Sequence, residues 1–315
     1  MGQIIFITGA GGFIGNHLLK RLIGNGYETV CFNRSFNQNF KKEFEGKTTM
    51  VEGDIRNLQL LINIINRFKP TYVYHLAGSK SRSNRISEFH ESFEINYKGT
   101  LNLLEALLNK EYLIKIILLG TMDEYGNSSR VFSEELKEEP NSAYGLSKLS
   151  ATKLALIFNK QFHLPITILR PSIVYGPEQG SEMFIPAIIH SLKKGEVFKM
   201  TAGEQLRDFI YIDDLLEALL LTKDSTNSNG EVINIGLGKS IQLFKLASQI
   251  ANYNSKSELL RVGAIPYRGS EIMNYKVNIE KAKLLLNWSP KYTINRGLEE
   301  TINYYIKDKE HQNGV

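Results

Sequence analysis

Residues Thr8-Gly9-Ala10-Gly11-Gly12-Phe13-Ile14-Gly15 stand between an apolar run, Ile4–Ile7, and a helix-period segment with Leu18, Leu19 and Leu22 on one face. A strand, a glycine-rich turn and a helix in that order constrain the fold more than any other feature of the chain. Gly9 permits a tight turn, Gly12 lets backbone approach a phosphate, and Gly15 allows close packing of helix on strand. With Phe13 and Ile14, the helix start offers amide groups that attract an anion. The motif points to a dinucleotide held at the head of a parallel sheet.

The remainder of the first half supports such a sheet. Strand-like runs at Gln3–Thr8, Glu28–Asn33, Thr48–Val51, Thr71–Leu76, Ile114–Gly120 and Ile166–Arg170 alternate with helix-period segments. The helical segments are Phe13–Gly24, Leu58–Phe68, Glu88–Asn109 and Ala143–Phe162, and Pro70 and Pro165 mark helix ends. The expected fold is α/β, a Rossmann-type doubly wound parallel sheet over residues 1–171. Beyond Pro171 the pattern is irregular. Helices are expected near Phe184–Lys193, Asp213–Thr222, Ile241–Ala251, Ile279–Leu286 and Asn295–Lys307, with strands near Phe209–Ile212 and Glu231–Ile235. Residues 172–315 are therefore expected to form mainly a smaller, partly interleaved lobe, with segments near 209–236 returning to the sheet.

Composition narrows the function classes. The net charge of +5 comes from 38 basic against 33 acidic residues, dispersed rather than clustered as nucleic-acid binding demands. Cys31 is the single cysteine, so no internal disulfide forms, and no metal-binding cluster stands out. No apolar stretch reaches the roughly 18 residues of a membrane span. The chain opens without a signal peptide, so a cytoplasmic location is expected.

Two further segments carry chemistry. The second strand ends Val30-Cys31-Phe32-Asn33-Arg34-Ser35, without the carboxylate that receives the ribose 2′-hydroxyl of NAD. Asn33 does not repel a 2′-phosphate and Arg34 offers a guanidinium fork to one, which favours NADP(H) and leaves NAD as the alternative. Later, Tyr144-Gly145-Leu146-Ser147-Lys148 opens a helix, placing Tyr144 and Lys148 one turn apart on one face. A nearby ammonium favours phenolate, so Tyr144 suits proton exchange with a substrate oxygen. Thr121, after the strand Ile114–Gly120, offers a hydroxyl to that oxygen.

Together these residues resemble the short-chain dehydrogenase/reductase superfamily, and more closely its extended branch, which acts on nucleotide-linked sugars. Supporting segments are Gly53-Asp54-Ile55, His75-Leu76-Ala77-Gly78, Asn96–Thr100 and Tyr175-Gly176-Pro177. The likeness implies Asp54 and Ile55 beside the adenine, and Leu76, Ala77 and Gly78 along the dinucleotide. It also implies that Lys148 bonds the nicotinamide ribose. Arg207 and Arg268 would grip a nucleotide diphosphate, with Glu271 near the nucleoside ribose and Lys80 a further phosphate contact. Those arginines could instead pair with Asp208 and Glu271. Asp123, Ser172 and Met183 are candidate liners of the sugar pocket, and Trp288 is expected to be structural.

Within the branch, 4,6-dehydratases place an Asp-Glu pair directly after the threonine, whereas Met122 displaces Asp123-Glu124 by one position here. The 3,5-epimerising reductases need a cysteine and a histidine, and Cys31 lies at the second strand. Two classes remain, a 4-ketoreductase and a 4-epimerase. Gly263–Met273 is similar to CDP-abequose and CDP-paratose synthases and GDP-rhamnose-type reductases, while His75–Lys80 resembles UDP-galactose 4-epimerases. Apolar positions on Glu88–Asn109 and Ala143–Phe162 (Leu101, Leu104, Leu108, Leu149, Leu156) suit a homodimer built on four helices, or packing against the sheet.

Overall fold

A computed structural model describes residues 3–79, 85–267 and 271–307. The first half reads β1 (Ile4–Thr8), α1 (Phe13–Gly24), β2 (Glu28–Asn33), α2 (Gln38–Glu43), β3 (Thr49–Glu52), α3 (Leu58–Phe68) and β4 (Tyr72–His75). Then come α4 (Ile86–Ser92), α5 (Gly99–Ala106), β5 (Lys115–Leu119), α6 (Ala143–Phe162) and β6 (Ile166–Pro171). The second half contributes β7 (Ile173–Tyr175), α7 (Phe184–Lys194), β8 (Phe198–Lys199), β9 (Leu206–Tyr211), α8 (Ile212–Asp224) and β10 (Val232–Ile235). It closes with β11 (Ser240–Gln242), α9 (Leu243–Tyr253), β12 (Leu260–Arg261), α10 (Glu280–Leu286) and α11 (Ile294–Lys307).

Seven parallel strands form one sheet in the order β10-β6-β5-β4-β1-β2-β3. Ile5 of β1 faces Thr29 of β2 on one side and Tyr72 of β4 on the other. The strand order reverses beside β1, which opens a crevice at the carboxyl ends of β1 and β4. Successive side chains of β1 point to opposite faces, so Ile5 and Ile7 join one core while Phe6 joins the other. The first core receives Leu18, Leu19 and Leu22 of α1 and Leu215 and Leu219 of α8. The second receives Leu61, Ile64 and Ile65 of α3 and Leu103 and Leu104 of α5.

Local chemistry sets the helix ends. The Asn57 side chain accepts the Leu60 amide at 3.0 Å, and α3 stops at Lys69, which turns left-handed (φ 47°) before Pro70. Ser142 caps α6 through the Gly145 amide at 3.1 Å, and His163 (φ 57°) ends it before Pro165. The expected single helix over Glu88–Asn109 is instead α4 and α5 joined by a π-helical turn, Phe93–Lys98. There the Thr100 hydroxyl donates to the Asn96 carbonyl at 2.5 Å, and such back-bonding bends helices. Helix α2 carries no long periodicity; Asn37 caps it, and Phe40 stacks on Phe36 at 4.7 Å and meets the tilted ring of Phe44 at 4.6 Å.

The expected return to the main sheet is divided. β10 pairs with β6 as its edge strand, and α8 packs on α1. β9, however, lies in a separate three-stranded sheet between β7 and β11. β7 is too short to show a period of two and is recognisable only through that pairing. Trp288 is buried and donates to the Asp214 carbonyl at 3.0 Å, closing the turn before α11 onto α8. No helix among the described residues is long and apolar enough to cross a membrane.

Candidate active site

The glycine turn shows why its residues have no side chains. Gly9 is left-handed (φ +74°), and a Cβ there would lie 2.6 Å from the Ala77 amide nitrogen. A Cβ on Gly15 would stand 2.2 Å from the Gly9 carbonyl oxygen. The turn therefore presses α1 against both β1 and the Leu76–Ala77 backbone. Gly12 begins α1 with no side-chain cap and no acidic residue in the first turn, which leaves the helix start to an anion. These residues fit a dinucleotide pyrophosphate.

Two cavities run along the crevice from that turn, sharing Gly9, Gly12, Leu76, Gly78 and Ser79. The one at the β2 end is about 440 Å³ and gathers Asn33, Arg34, Asp54, Ile55 and Ala77. Asn33 donates to the Ser35 carbonyl at 2.5 Å, and Arg34 is exposed. Asp54 accepts two bonds from the Arg56 side chain, at 2.9 and 2.6 Å, which holds its carboxyl down at about 2. The other cavity, about 400 Å³, gathers Phe13, Ile14, Gly15, Tyr144, Lys148 and Met183, with Leu119, Gly120, Gln179 and Gly180. Residues separated by more than a hundred positions thus share one cleft.

Lys148 is buried and donates to the Leu119 carbonyl. Burial lowers its pKa to about 8, with Glu124 acting in the opposite sense. Thr121 follows β5 at the head of a short 3₁₀ turn, Met122–Glu124. It forms a reciprocal cap there: its hydroxyl accepts the Asp123 amide at 3.3 Å, and its own amide bonds Glu124 at 2.9 Å. Met122 is fully buried and Asp123 half-buried.

The substrate-side candidates fare differently. Arg207 and Glu271 form an ion pair, with side chains 12% and 20% exposed, and Arg207 also donates to the Leu206 carbonyl at 2.7 Å. Ser172 is buried beside Asp208 and Gly236, at the passage from β6 to β7. Asp208, likewise buried, accepts the Leu237 amide at 2.8 Å, and burial raises its pKa to about 6. Lys80 and Arg268 lie outside the described residues.

Three supports escaped the sequence reading. His75, buried between Thr8 (2.7 Å) and Thr100 (2.9 Å), ties β1 to α5 beneath the cleft. The Thr100 hydroxyl is committed to Asn96, so His75 is neutral with its proton on Nε2. Asn96 accepts the Ser79 amide at 2.8 Å and donates to the Ser147 hydroxyl at 2.9 Å, fastening the cleft wall to α6. Glu124 is paired with Arg170 at 2.7 Å. His75 ends an apolar run, while Asn96 and Glu124 lie in mixed polar segments, and in none of the three cases does the sequence identify the partner.

His75 also makes the fold acid-sensitive. Burial chiefly, and Lys148 secondarily, lower its pKa from 6.5 to about 3. The unfolded chain therefore binds the extra proton first, and stability falls as pH drops from 6.5 towards 3, by at most about 1.4 kcal/mol per unit. Between pH 6.5 and 5 the urea midpoint should fall relative to that of His75→Gln, with Asp208, which takes up its proton near pH 6, acting in the opposite sense in both proteins. Equal slopes would show that another group is responsible.

With that geometry in view, kinship can be tested. A model of the NAD dependent epimerase/dehydratase family matches residues 5–236. The chain belongs to that family. Among relatives in the family, it is 28% identical to a dTDP-glucose 4,6-dehydratase of Haemophilus influenzae, over 96% of this chain and 97% of that one. The solved UDP-glucose 4-epimerase of Thermotoga maritima, with UDP-glucose, superposes at a TM-score of 0.90, with 28% identity and coverage of 98% and 100%. The UDP-glucuronic acid 4-epimerase of Bacillus cereus, in complex with UDP-glucuronic acid and NAD, gives 0.89 and 30%, over 97% and 99%. These relatives are a dehydratase and epimerases; they agree with the epimerase likeness of His75–Lys80 and include none of the 4-ketoreductases that Gly263–Met273 resembles.

Proposed function

We propose that this family member reduces the 4-keto group of a nucleotide-linked 4-keto-6-deoxyhexose, using NADPH. The observation that carries the proposal is the end of β2, where Asn33 and an exposed Arg34, rather than a carboxylate, face the adenosine-side cavity. A 2′-phosphate finds a fork there, and a consumed reductant suits a reductase better than a recycled one. Fully buried Met122 occupies the place of a dehydratase acid, and Glu124 is spent on Arg170. That arrangement speaks against elimination chemistry.

Held along the crevice by the glycine turn, NADPH would supply the hydride for C4. Tyr144 donates its phenolic proton to O4, Thr121 holds that oxygen, and Lys148 favours the resulting phenolate and bonds the ribose. Phe13, Ile14 and Met183 screen the centre from water, while Asp123 lies near the sugar. On the substrate side Arg207, Arg268 and Lys80 take the diphosphate, and Glu271 exchanges Arg207 for the nucleoside ribose. Two copies would pair through α5 and α6: Leu101, Leu104, Leu108 and Leu156 pack against the sheet, while Leu146, Ile157 and Phe162 of α6 are 39%, 48% and 50% exposed.

A second reading, a 4-epimerase recycling bound NAD, is favoured by the likeness to the NAD-bound Bacillus cereus epimerase. Absorbance of the reduced cofactor separates the two. Reduction consumes one NADPH per sugar, with kcat/KM higher for NADPH than for NADH. Constant absorbance during conversion of a UDP-hexose would establish the epimerase instead.

A further inference from the structure

Behind Thr121 lies a group of buried charges that proton transfer at Tyr144 does not itself require. Glu124 is fully buried and the Arg170 side chain is 1% exposed. One Glu124 oxygen accepts Arg170 Nε at 2.9 Å and lies 2.7 Å from its Nη2, while the other accepts the Thr121 amide at 2.9 Å. Arg170 continues to Glu138 at 3.0 Å, and Glu138 to Lys153 of α6 at 2.8 Å. On the same stretch of backbone, Lys148 holds the Leu119 carbonyl. Lys148 and Glu124 therefore grip Leu119–Thr121 from its two ends. Gly120 between them has no spare room: a Cβ would come within 2.7 Å of Glu124 Oε1 and 3.1 Å of Arg170 Cγ.

Capping a short turn does not demand a charge. A neutral amide accepts the Thr121 N–H equally well, and a buried ion pair contributes little net stability relative to apolar packing. A carboxylate at this depth is better explained by what it faces. Around Lys148 stand His75 from β4, Tyr144 from its own helix and Glu124 from the turn, with Arg170 of β6 behind Glu124. The carboxylate of this set is Glu124.

We propose that the Glu124–Arg170 pair is a positioning device for the proton-transfer centre, fixing the Thr121 backbone and setting a negative charge behind Lys148. Arg170 holds Glu124 in one orientation, and Glu138 and Lys153 tie Arg170 to the helix that carries Tyr144. The idea rests on Tyr144 and Lys148 acting as described above. It differs from a purely structural cap in that the charge, and not merely the shape, of Glu124 matters.

Two variants separate charge from shape. Glu124→Gln keeps an acceptor for Thr121 and removes the charge. The titration midpoint of Lys148, followed by NMR of lysine labelled with ¹³C at Cε and assigned with Lys148→Met, should fall by about one pH unit. The alkaline limb of kcat/KM should move the same way. Glu124→Asp keeps the charge but is one methylene short of reaching Thr121 and Arg170 together. It should leave the midpoint in place and lower kcat about tenfold or more, with KM little changed. An unmoved midpoint in folded Glu124→Gln, or natural kcat in Glu124→Asp, overturns the proposal. Should the Gln variant not fold, the Asp variant decides through kcat and its own midpoint. Absence of NADPH oxidation by the unaltered enzyme would instead overturn the reductase reading, and the NMR midpoint would still decide the role of Glu124.

Discussion

Tyr144→Phe is expected to lower kcat by about 10²–10⁴-fold while leaving nucleotide-sugar and cofactor affinity near natural values. The ring sits at the first turn of α6 in the nicotinamide-side cavity, and Phe keeps its shape. Only the hydroxyl is lost, and with it the proton that the proposed mechanism delivers to O4. The effect should be large because Lys148, with a pKa of about 8, is poised to favour phenolate next to a half-buried phenol. Steady-state turnover together with cofactor titration checks the split between rate and binding. Near-natural turnover would remove Tyr144 from the mechanism.

Gly15→Ala should be one of the most damaging single-methyl changes in the cleft. Its Cβ would stand 2.2 Å from the Gly9 carbonyl and 2.7 Å from the Ala10 Cα, which are backbone atoms and cannot rotate aside. Helix α1 must then retreat from β1, at a cost of about 1–3 kcal/mol or more. The same retreat carries the amides of the helix start away from the pyrophosphate position, so cofactor affinity should fall with stability. Urea unfolding and quenching on titration with NADPH measure the two losses. Gly24→Ala, with nothing within 4 Å of its Cβ, is the control and should leave cofactor affinity unchanged and stability equal or slightly higher. If Gly15→Ala behaves like the control, the packing account is wrong.

The legible part of the site was the part written in contiguous residues. Gly9, Gly12 and Gly15 announce a turn, Tyr144 and Lys148 share a helix face by spacing, and Asn33-Arg34 follow a recognisable strand. Each of these needs only local geometry. Arg207 and Glu271 could be foreseen as phosphate and ribose contacts or as partners of one another, and periodicity cannot choose between the two. The structure pairs them. Ser172, expected as a pocket liner, is buried beside Asp208 where the chain passes from the main sheet to the smaller one, a setting that no local pattern announces.

The amino-acid order by itself determined the alternation of strands and helices, the phosphate turn and the spacing of Tyr144 and Lys148, because all of these follow from short-range periodicity and backbone sterics. Only the tertiary structure decided which side of the β5 turn carries which carboxylate. Glu124 looked like a displaced catalytic acid, and burial against Arg170, more than forty residues away, makes it a support instead. His75, Asn96 and the division of β9 from β10 have the same origin. Each depends on partners that meet only when the sheet closes, and a buried polar group is defined by its partner rather than by its neighbours in sequence.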